Sequence, residues 1–471
     1  MLLRRSFYNA RSMPISPARA AAFDILLRVE RDSAYASEVL HSTSIDRLPA
    51  NDHALATELV MGVLRWRSCL DDQIASASSQ PLSKLDLEIL IALRLALYQF
   101  RSLTRVPTRA ALHESVELVK RARKRSAAPF VNAVLRRLSN NPPTPLCPPV
   151  LNGVSSEALA TQLAHPLWLV DRWTRHYGLA AAEKICRHDQ TIPTTAIRLR
   201  NARADSELAA EISLLPGAFL SSARRVLSGD VSATAAFRSK HVFIQDEASQ
   251  LISALAASSL DGQPWRVLDC CAAPGGKTLA IADQLTESRI TAVELHPHRA
   301  RLLKKLAGVP PNNIKVIAAD ARHLPFSISF DRVLADVPCS GTGTLARNPE
   351  IKWRLSLADL ADLHERQLAI LRTAMAHVAV GGRLVYSTCS LEKEENEDVV
   401  EEALRSVEAF RVVDCNLELD RLKNSGTLVW PDVHSLTSGP YLRTIPGIHP
   451  CDGFFAAILE KKSKNSTAPR S

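Results

Sequence analysis

Two cysteines in this chain each follow a short apolar run. Cys339 lies in FDRVLADVPCSGTG and Cys389 in LVYSTCSLEKEENEDVV. Both stand where a parallel strand would hand over to a loop. A thiolate is a soft nucleophile, available near neutral pH once a positive environment lowers its pKa. The ordinary fate of a free cysteine is burial as a small packing residue, but two thiols at two strand ends point to nucleophilic chemistry. The residues themselves leave open which of the two reacts.

A second constellation lies upstream. VLDCCAAPGGKT (267–278) reads as a strand, a Gly-rich turn and a helix start. Pro274-Gly275-Gly276 lets the backbone approach a ligand, and the helix N-terminus behind it offers free N–H groups. Glu294 ends the next strand, 18 residues past Gly276, close to the offset of about 20 at which an acid meets a ribose. Asp320 and Asp336 end the two strands after that. A single strand-end acid is often just a helix or turn cap. Three in succession line the crevice where open α/β sheets bind ligands, so a nucleoside ligand is expected. A nicotinamide dinucleotide would suit Glu294, but the turn is not G-x-G-x-x-G. A carboxylate-rich pocket equally suits S-adenosylmethionine, which carries an ammonium and a sulfonium.

The elements that must position these residues follow from apolar patterning. From about 241, β-branched runs (WRVLDC, RITAVEL, NIKVIAAD, DRVLADV, RLVYSTC) alternate with helical stretches such as HRARLLKKL and SLADLADLHERQLAILRTAMAHV. That alternation predicts a doubly wound, Rossmann-like α/β domain over 241–462. Ser356 with Asp359 is expected to cap the longest helix and Gly381-Gly382 to end it. Residues 17–140 repeat apolar positions at three and four, which predicts an all-α bundle. Its segments are 18–30, 52–75, 84–103 and 110–123, the last two split at Pro107. Five prolines in NNPPTPLCPPVLNG mark 141–153 as a linker. Residues 154–240 read as a small α+β subdomain, with a helix in HPLWLVDRWTRHYG and a strand in TTAIRLRN. A basic, disordered leader (1–16) and a polar tail (463–471) complete the chain.

Bulk composition narrows the function. The most apolar stretch, LDLEILIALRLALYQF, contains Asp86, Glu88, Arg94 and Gln99, so it reads as a buried helix and not as a membrane span. With 58 basic and 49 acidic residues the net charge is +9, which favours a polyanionic partner. Nine cysteines without a CxxC pair argue against a zinc site and a disulfide scaffold, and for a reducing compartment. Cys69, Cys147, Cys186, Cys415 and Cys451 carry no motif and read as packing residues. The Arg-rich first 22 residues have the look of a transit peptide, but a disordered leader on a bacterial cytoplasmic protein is the simpler reading.

CAAPGGKT, DVPCSGTGTLARNPEIKW and YSTCSLEKEENE closely resemble the Sun/NOL1/NOP2 family of S-adenosylmethionine-dependent RNA cytosine-5 methyltransferases. VFIQDEASQL and DGFFAAILEK match that family's flanking blocks. The first 140 residues resemble, more loosely, the NusB-like RNA-binding domain, through ELVMGVLRW, LALYQF and APFVNAVLRRL. The resemblance implies methylation of C5 of a cytosine in 16S rRNA; a monomer is the default expectation and, without a CxxC pair, no metal is expected. It implies Cys389 as nucleophile, Cys339 as the thiol that assists product release, and Asp336 as a catalytic acid. S-adenosylmethionine would contact Cys271, Ala272, Ala273, Pro274, Gly275, Gly276, Lys277, Glu294, Asp320 and Asp336, with Arg299 at the family's acid-to-Arg spacing. Three departures stand out. Glu294 replaces the usual Asp, Cys270 stands where Leu or Ala is common, and Ile197-Arg198-Leu199-Arg200 replaces an Arg-x-Asn ending.

The chemistry accounts for the residue types independently. C5 of cytosine is too weak a nucleophile to attack a methylsulfonium unless a thiolate first adds at C6. One soft nucleophile, one acid near N3 and one base are then required. On the RNA side, KRARKR (120–125), Arg136 and Arg137 read either as a solvated helix end or as phosphate contacts. Arg347, Lys352 and Arg354 add charge near the Cys339 loop, with Trp353 free for stacking or packing. An unpaired target base is expected, in unassembled or partly assembled small-subunit rRNA. The same chemistry on tRNA, a non-catalytic ribosome-assembly factor and a nicotinamide-dependent oxidoreductase are the alternatives.

Overall fold

The computed structural model describes residues 15–42, 45, 47–140, 146–147, 155–201, 203–258, 264–308, 313–405 and 407–463. The expected leader, proline-rich linker and tail fall almost wholly outside these residues. The chain divides into two compact units, Met1–Cys186 with Ala346–Trp353, and Arg187–Leu345 with Arg354–Ser471. Residues 154–240, expected as one α+β subdomain, are therefore shared: the helices Ser156–Gln162 and Leu167–Tyr177 go with the first unit and the strands from Ala196 onward with the second.

The first unit is helical, with Pro17–Arg31, Ala50–Arg65, Arg67–Ala77, Leu87–Ser102, Thr108–Arg121 and Ala128–Asn140 packed around Phe23, Leu26, Leu59, Leu93, Leu97, Val119 and Val131. The stretch expected as one helix over 52–75 is two, broken at Trp66. Leu87–Ser102 is buried on nearly every side. Its charged and amide side chains are tolerated because each is paired: Arg94 forms a double hydrogen bond to Asp71 at 2.7 Å, and Gln99 accepts from Arg19 at 2.6 Å. No helix among the described residues is long and apolar enough to cross a membrane.

Ala346–Trp353 belongs to this unit although it follows the Cys339 loop in sequence. The helix Ala50–Arg65 ends with carbonyls that need donors. Lys352 Nζ donates to the Arg65 carbonyl at 3.0 Å and Trp353 Nε1 to that of Leu64 at 2.6 Å. In return Arg65 donates to the Ala346 carbonyl at 3.0 Å, and Glu350 accepts the Ala36 N–H at 2.9 Å. Lys352 is thus 1% exposed and is a structural cation, not the RNA contact expected from its sequence position. KRARKR is also partly spoken for. Lys120 pairs with Glu117, Arg121 with Asp24 and Lys124 with Asp86, while Arg123, Arg125 and Arg136 are exposed. Cys69 and Cys147, expected as free packing thiols, form a disulfide with Cα atoms 5.8 Å apart. The other seven cysteines are free.

The second unit holds two sheets. The smaller is antiparallel, in the order Ser213–Pro216, Ala223–Ser228, Ala196–Leu199, Val242–Ile244. Arg198 and Arg200, whose meaning for RNA was open, both point into an ion pair: they clasp Asp283 on the helix Gly276–Gln284 at 2.7 and 2.5 Å. Burial of Arg198 lowers its pKa, and Asp283 opposes that shift.

The larger sheet has nine strands. Its parallel part runs Ile314–Ala318, Arg289–Glu294, Arg266–Asp269, Phe330–Asp336, Val378–Thr388, and the antiparallel Phe454–Lys461, Tyr441–Thr444 and Thr437–Ser438 extend it. Helices cover both faces, as the strand–helix alternation requires. The Ser356–Asp359 capping box forms. Gly381-Gly382, however, does not end that helix, which stops at Ala376. The pair lies inside the strand Val378–Thr388, with Gly381 at φ +75° close to a register shift against Phe330–Asp336. A glycine pair reads the same way whether it caps a helix or bends a strand.

Asp283→Ala leaves a buried guanidinium without its carboxylate and should cost about 3 kcal/mol, read as a lower chemical-denaturation midpoint. Asp205→Ala, which breaks the more exposed pair with Arg224, should cost under about 1 kcal/mol.

Candidate active site

The carboxyl ends of the five parallel strands share one edge, and the sheet order reverses on either side of the central strand Arg266–Asp269. The crevice of a doubly wound sheet forms at such a switch point. Residues 270–276 follow that strand. They are tied to its neighbours by Cys270 N–H to the Leu334 carbonyl at 2.9 Å and Ala272 N–H to that of Val293 at 2.8 Å. Ala273–Pro274 is cis, and Gly275 at φ +115° caps the next helix. A Cβ on Gly275 would come within 2.5 Å of Leu303, so only glycine lets the turn lie this close to the helix Pro297–Ala307. Cys270 and Cys271 have thiols pushed up by burial, which fits them to packing.

Glu294, 8% exposed, spends one oxygen on the His296 N–H at 2.8 Å. Asp320 is ion-paired with Arg322 at 2.7 Å, and the Arg322 hydrogen bond holds its carboxyl below the usual range. Arg299 is exposed on its helix. Asp336 is held on both oxygens, by Ser387 Oγ at 2.7 Å and by Lys277 Nζ at 2.7 Å. Burial opposes the Lys277 charge, but Asp336 outweighs it and the ammonium pKa rises. Three carboxylates at the ends of strands on both sides of Arg266–Asp269, a glycine cradle and two small alanines fit a ligand with ribose hydroxyls, an ammonium and a sulfonium.

The thiols meet beside Asp336. Cys339 Sγ lies 3.2 Å from Cys389 Sγ and accepts the Cys389 N–H at 3.3 Å. The Cys339 pKa is driven up, first by its hydrogen bond with Cys389, then by burial and by the charges of Cys389 and Glu395. Lys277 interacts electrostatically with Cys389 as well as with Asp336.

Residues not singled out from sequence complete the site. Glu395 and Asn396 are fully buried. Asn396 accepts from the Thr388 hydroxyl and donates to the Ser390 carbonyl at 2.9 Å, and Tyr386 donates to the Glu395 carbonyl at 2.6 Å. In the sequence these residues belong to LEKEENE, whose charge density reads as a solvated helix start. Only the neighbouring hydroxyls and amides that surround it in the fold reveal it as interior.

Comparison with known proteins agrees with this geometry. A model of the family described as 16S rRNA methyltransferase RsmB/F matches residues 258–460, and one of the NusB family matches 16–140. A protein of Bacillus subtilis named probable ribosomal RNA small subunit methyltransferase B is 34% identical, over 96% of this chain and 100% of that one. The chain belongs to the RsmB/F methyltransferase family. A Synechocystis relative of the same name is 32% identical over 94% of this chain and 99% of its own. The crystal structure of PH0851 shares the fold, with a TM-score of 0.76 at 23% identity, covering 96% of this chain and 100% of that one. This RsmB/F member is thus an S-adenosylmethionine-dependent RNA methyltransferase with a NusB domain.

Asp269, 1% exposed, ends the central strand and accepts from Thr278 Oγ1 at 2.6 Å and Cys271 N–H at 3.4 Å, with Asp336 and Lys277 also facing it. Burial raises its pKa from 3.8 to about 6. Between those values the folded protein holds the proton and the unfolded chain does not, so this group makes stability fall as pH rises through the window. Asp269→Asn should flatten the stability profile between about pH 4 and 6, measured as denaturation midpoints across that range.

Proposed function

We propose that this protein methylates C5 of a specific cytosine in 16S rRNA through a covalent bond between Cys389 and C6 of the base. The observation that carries the reading is the pair of sulfurs 3.2 Å apart just beyond the ends of adjacent parallel strands, beside Asp336 and Lys277. The Cys389 thiolate adds to C6, and the C5–C6 electron pair makes C5 nucleophilic while charge spreads toward N3. As the catalytic acid, Asp336 shares a proton with N3 as that charge develops and takes it back when the ring is restored, with Lys277 as its nearest proton source. S-adenosylmethionine, when bound, supplies the methyl group to C5. Loss of the C5 proton to solvent base then re-forms the double bond and expels Cys389, whose departing thiolate the Cys339 S–H stabilises by hydrogen bonding.

Cys271, Ala272, Ala273, Pro274, Gly275, Gly276, Lys277, Glu294, Asp320, Asp336 and Arg299 are proposed as the cofactor's contacts. Arg123, Arg125 and Arg136 on the helical unit are the proposed phosphate contacts. The enzyme would act as a cytoplasmic monomer on unassembled or partly assembled small-subunit rRNA.

A gel assay for covalent protein–RNA adducts, with 16S rRNA transcript and S-adenosylmethionine, tests the assignment. Cys339→Ala should accumulate a slow-migrating adduct, and Cys389→Ala should give none and lose methyl transfer. The reverse pattern would make Cys339 the nucleophile. Neither adduct nor methylation from wild type, with both restored on tRNA, would sink the rRNA assignment.

A further inference from the structure

The loops that carry the two thiols are joined by one buried side chain. Glu395 has no exposed surface. Its Oε1 accepts the backbone N–H of Ser340 at 2.8 Å and the Gln367 side-chain amide at 2.9 Å. Its Oε2 accepts from the hydroxyls of Ser340 and Ser390. Ser340 follows Cys339 and Ser390 follows Cys389, and the two hydroxyls are themselves 3.0 Å apart. Gln367, fully buried on the helix Leu357–Ala376, also donates to the Pro338 carbonyl at 2.9 Å. Four donors from three segments thus meet one carboxylate, which has about four lone-pair sites and so is saturated.

A second tie runs through the backbone, since Gly343 N–H donates to the Cys389 carbonyl at 2.9 Å. Leu391 N–H likewise donates to Thr342 Oγ1 at 2.9 Å and Cys389 N–H to Cys339 Sγ at 3.3 Å, but Glu395 is the group that also draws the helix Leu357–Ala376 into the junction. We propose that Glu395 is a positioning residue for the methyl-transfer reaction, holding the Cys339 and Cys389 loops in register so that the two sulfurs stay in contact. The proposal rests on the two-thiol reading above. The charge of Glu395 also adds to the hydrogen bond and burial that push the Cys339 thiol up.

The consequences separate from those of a simple packing residue. A group needed only for folding would, when removed, weaken cofactor binding, RNA binding and turnover together. A group that sets the geometry of two reacting atoms should leave ground-state binding nearly intact and lower kcat, because an error of about 1 Å in a reacting pair costs on the order of 100-fold. Gln in place of Glu keeps the volume and one oxygen acceptor, but its amide nitrogen cannot accept from the N–H or hydroxyl donors it faces.

The test uses full-length Glu395→Ala and Glu395→Gln. Three readouts are taken: steady-state methylation of 16S rRNA transcript, S-adenosylmethionine binding by calorimetry, and the rate at which copper–phenanthroline oxidises Cys339 and Cys389 to a disulfide, mapped by peptide mass. For Glu395→Ala we expect kcat reduced on the order of 100-fold, with KM for RNA and cofactor affinity within about twofold of wild type. Its Cys339–Cys389 cross-linking should slow on the order of tenfold, with Glu395→Gln intermediate in both. Wild-type kcat or a wild-type cross-linking rate in Glu395→Ala would overturn the proposal, as would equal losses in binding and turnover. If Glu395→Ala does not fold, Glu395→Gln decides by the same criteria. Cross-linking is read without RNA, so slowed cross-linking alongside a wild type that fails to methylate would support the register role and sink the functional reading.

Discussion

The parallel pairing of Phe330–Asp336 with Val378–Thr388 is the constraint on which the site depends. Asp336 stands opposite Ser387 in that register. The thiols lie three residues beyond the first and two beyond the second, so aligned strand ends bring them to the same place. A slip of one residue would turn every side chain on one strand to the other face, separating Ser387 from Asp336 and Cys389 from Cys339 at once. The register is protected by burial on both sides. Val333, Leu334 and Ala335 lie inside the sheet against Leu384, Val385 and Tyr386, as expected of central parallel strands.

Charge around the sulfurs is arranged asymmetrically. Lys277 brings a cation to the side of Cys389, and Asp336 keeps that cation charged despite its burial. Glu395 brings an anion to the side of Cys339. Two identical functional groups in contact thereby have unequal surroundings, and those of Cys339 oppose its ionisation.

Much of this was legible in the sequence, because the signals were local. Strand–helix alternation, the glycine turn and the strand-end acids need only a few neighbouring residues to be recognised, and the sheet places Asp269, Glu294 and Asp336 at the ends of adjacent strands. What escaped depended on partners distant in the chain. Lys352 looked like a solvent-facing cation until the Arg65 carbonyl was found at its tip. Arg198 and Arg200 were only a departure from an Arg-x-Asn ending until Asp283, more than eighty residues away, was seen to pair with both. Glu395 sat in an acidic run that no local rule places indoors. The same blindness to distance applies to Cys69 and Cys147, whose separation of 78 residues gives no hint of pairing.

The inclusion of Ala346–Trp353 in the helical unit has a meaning for how such a protein can be inherited. The boundary between the units is crossed more than once, so no single cut in the gene separates them cleanly. A recombination that exchanged one helical unit for another would have to carry this eight-residue peptide with it, lifted from the middle of the methyltransferase sequence. Otherwise the incoming helix end would meet a foreign Trp and Lys. A change in the peptide would thus be felt at the Ala50–Arg65 helix terminus, and a change there in the peptide.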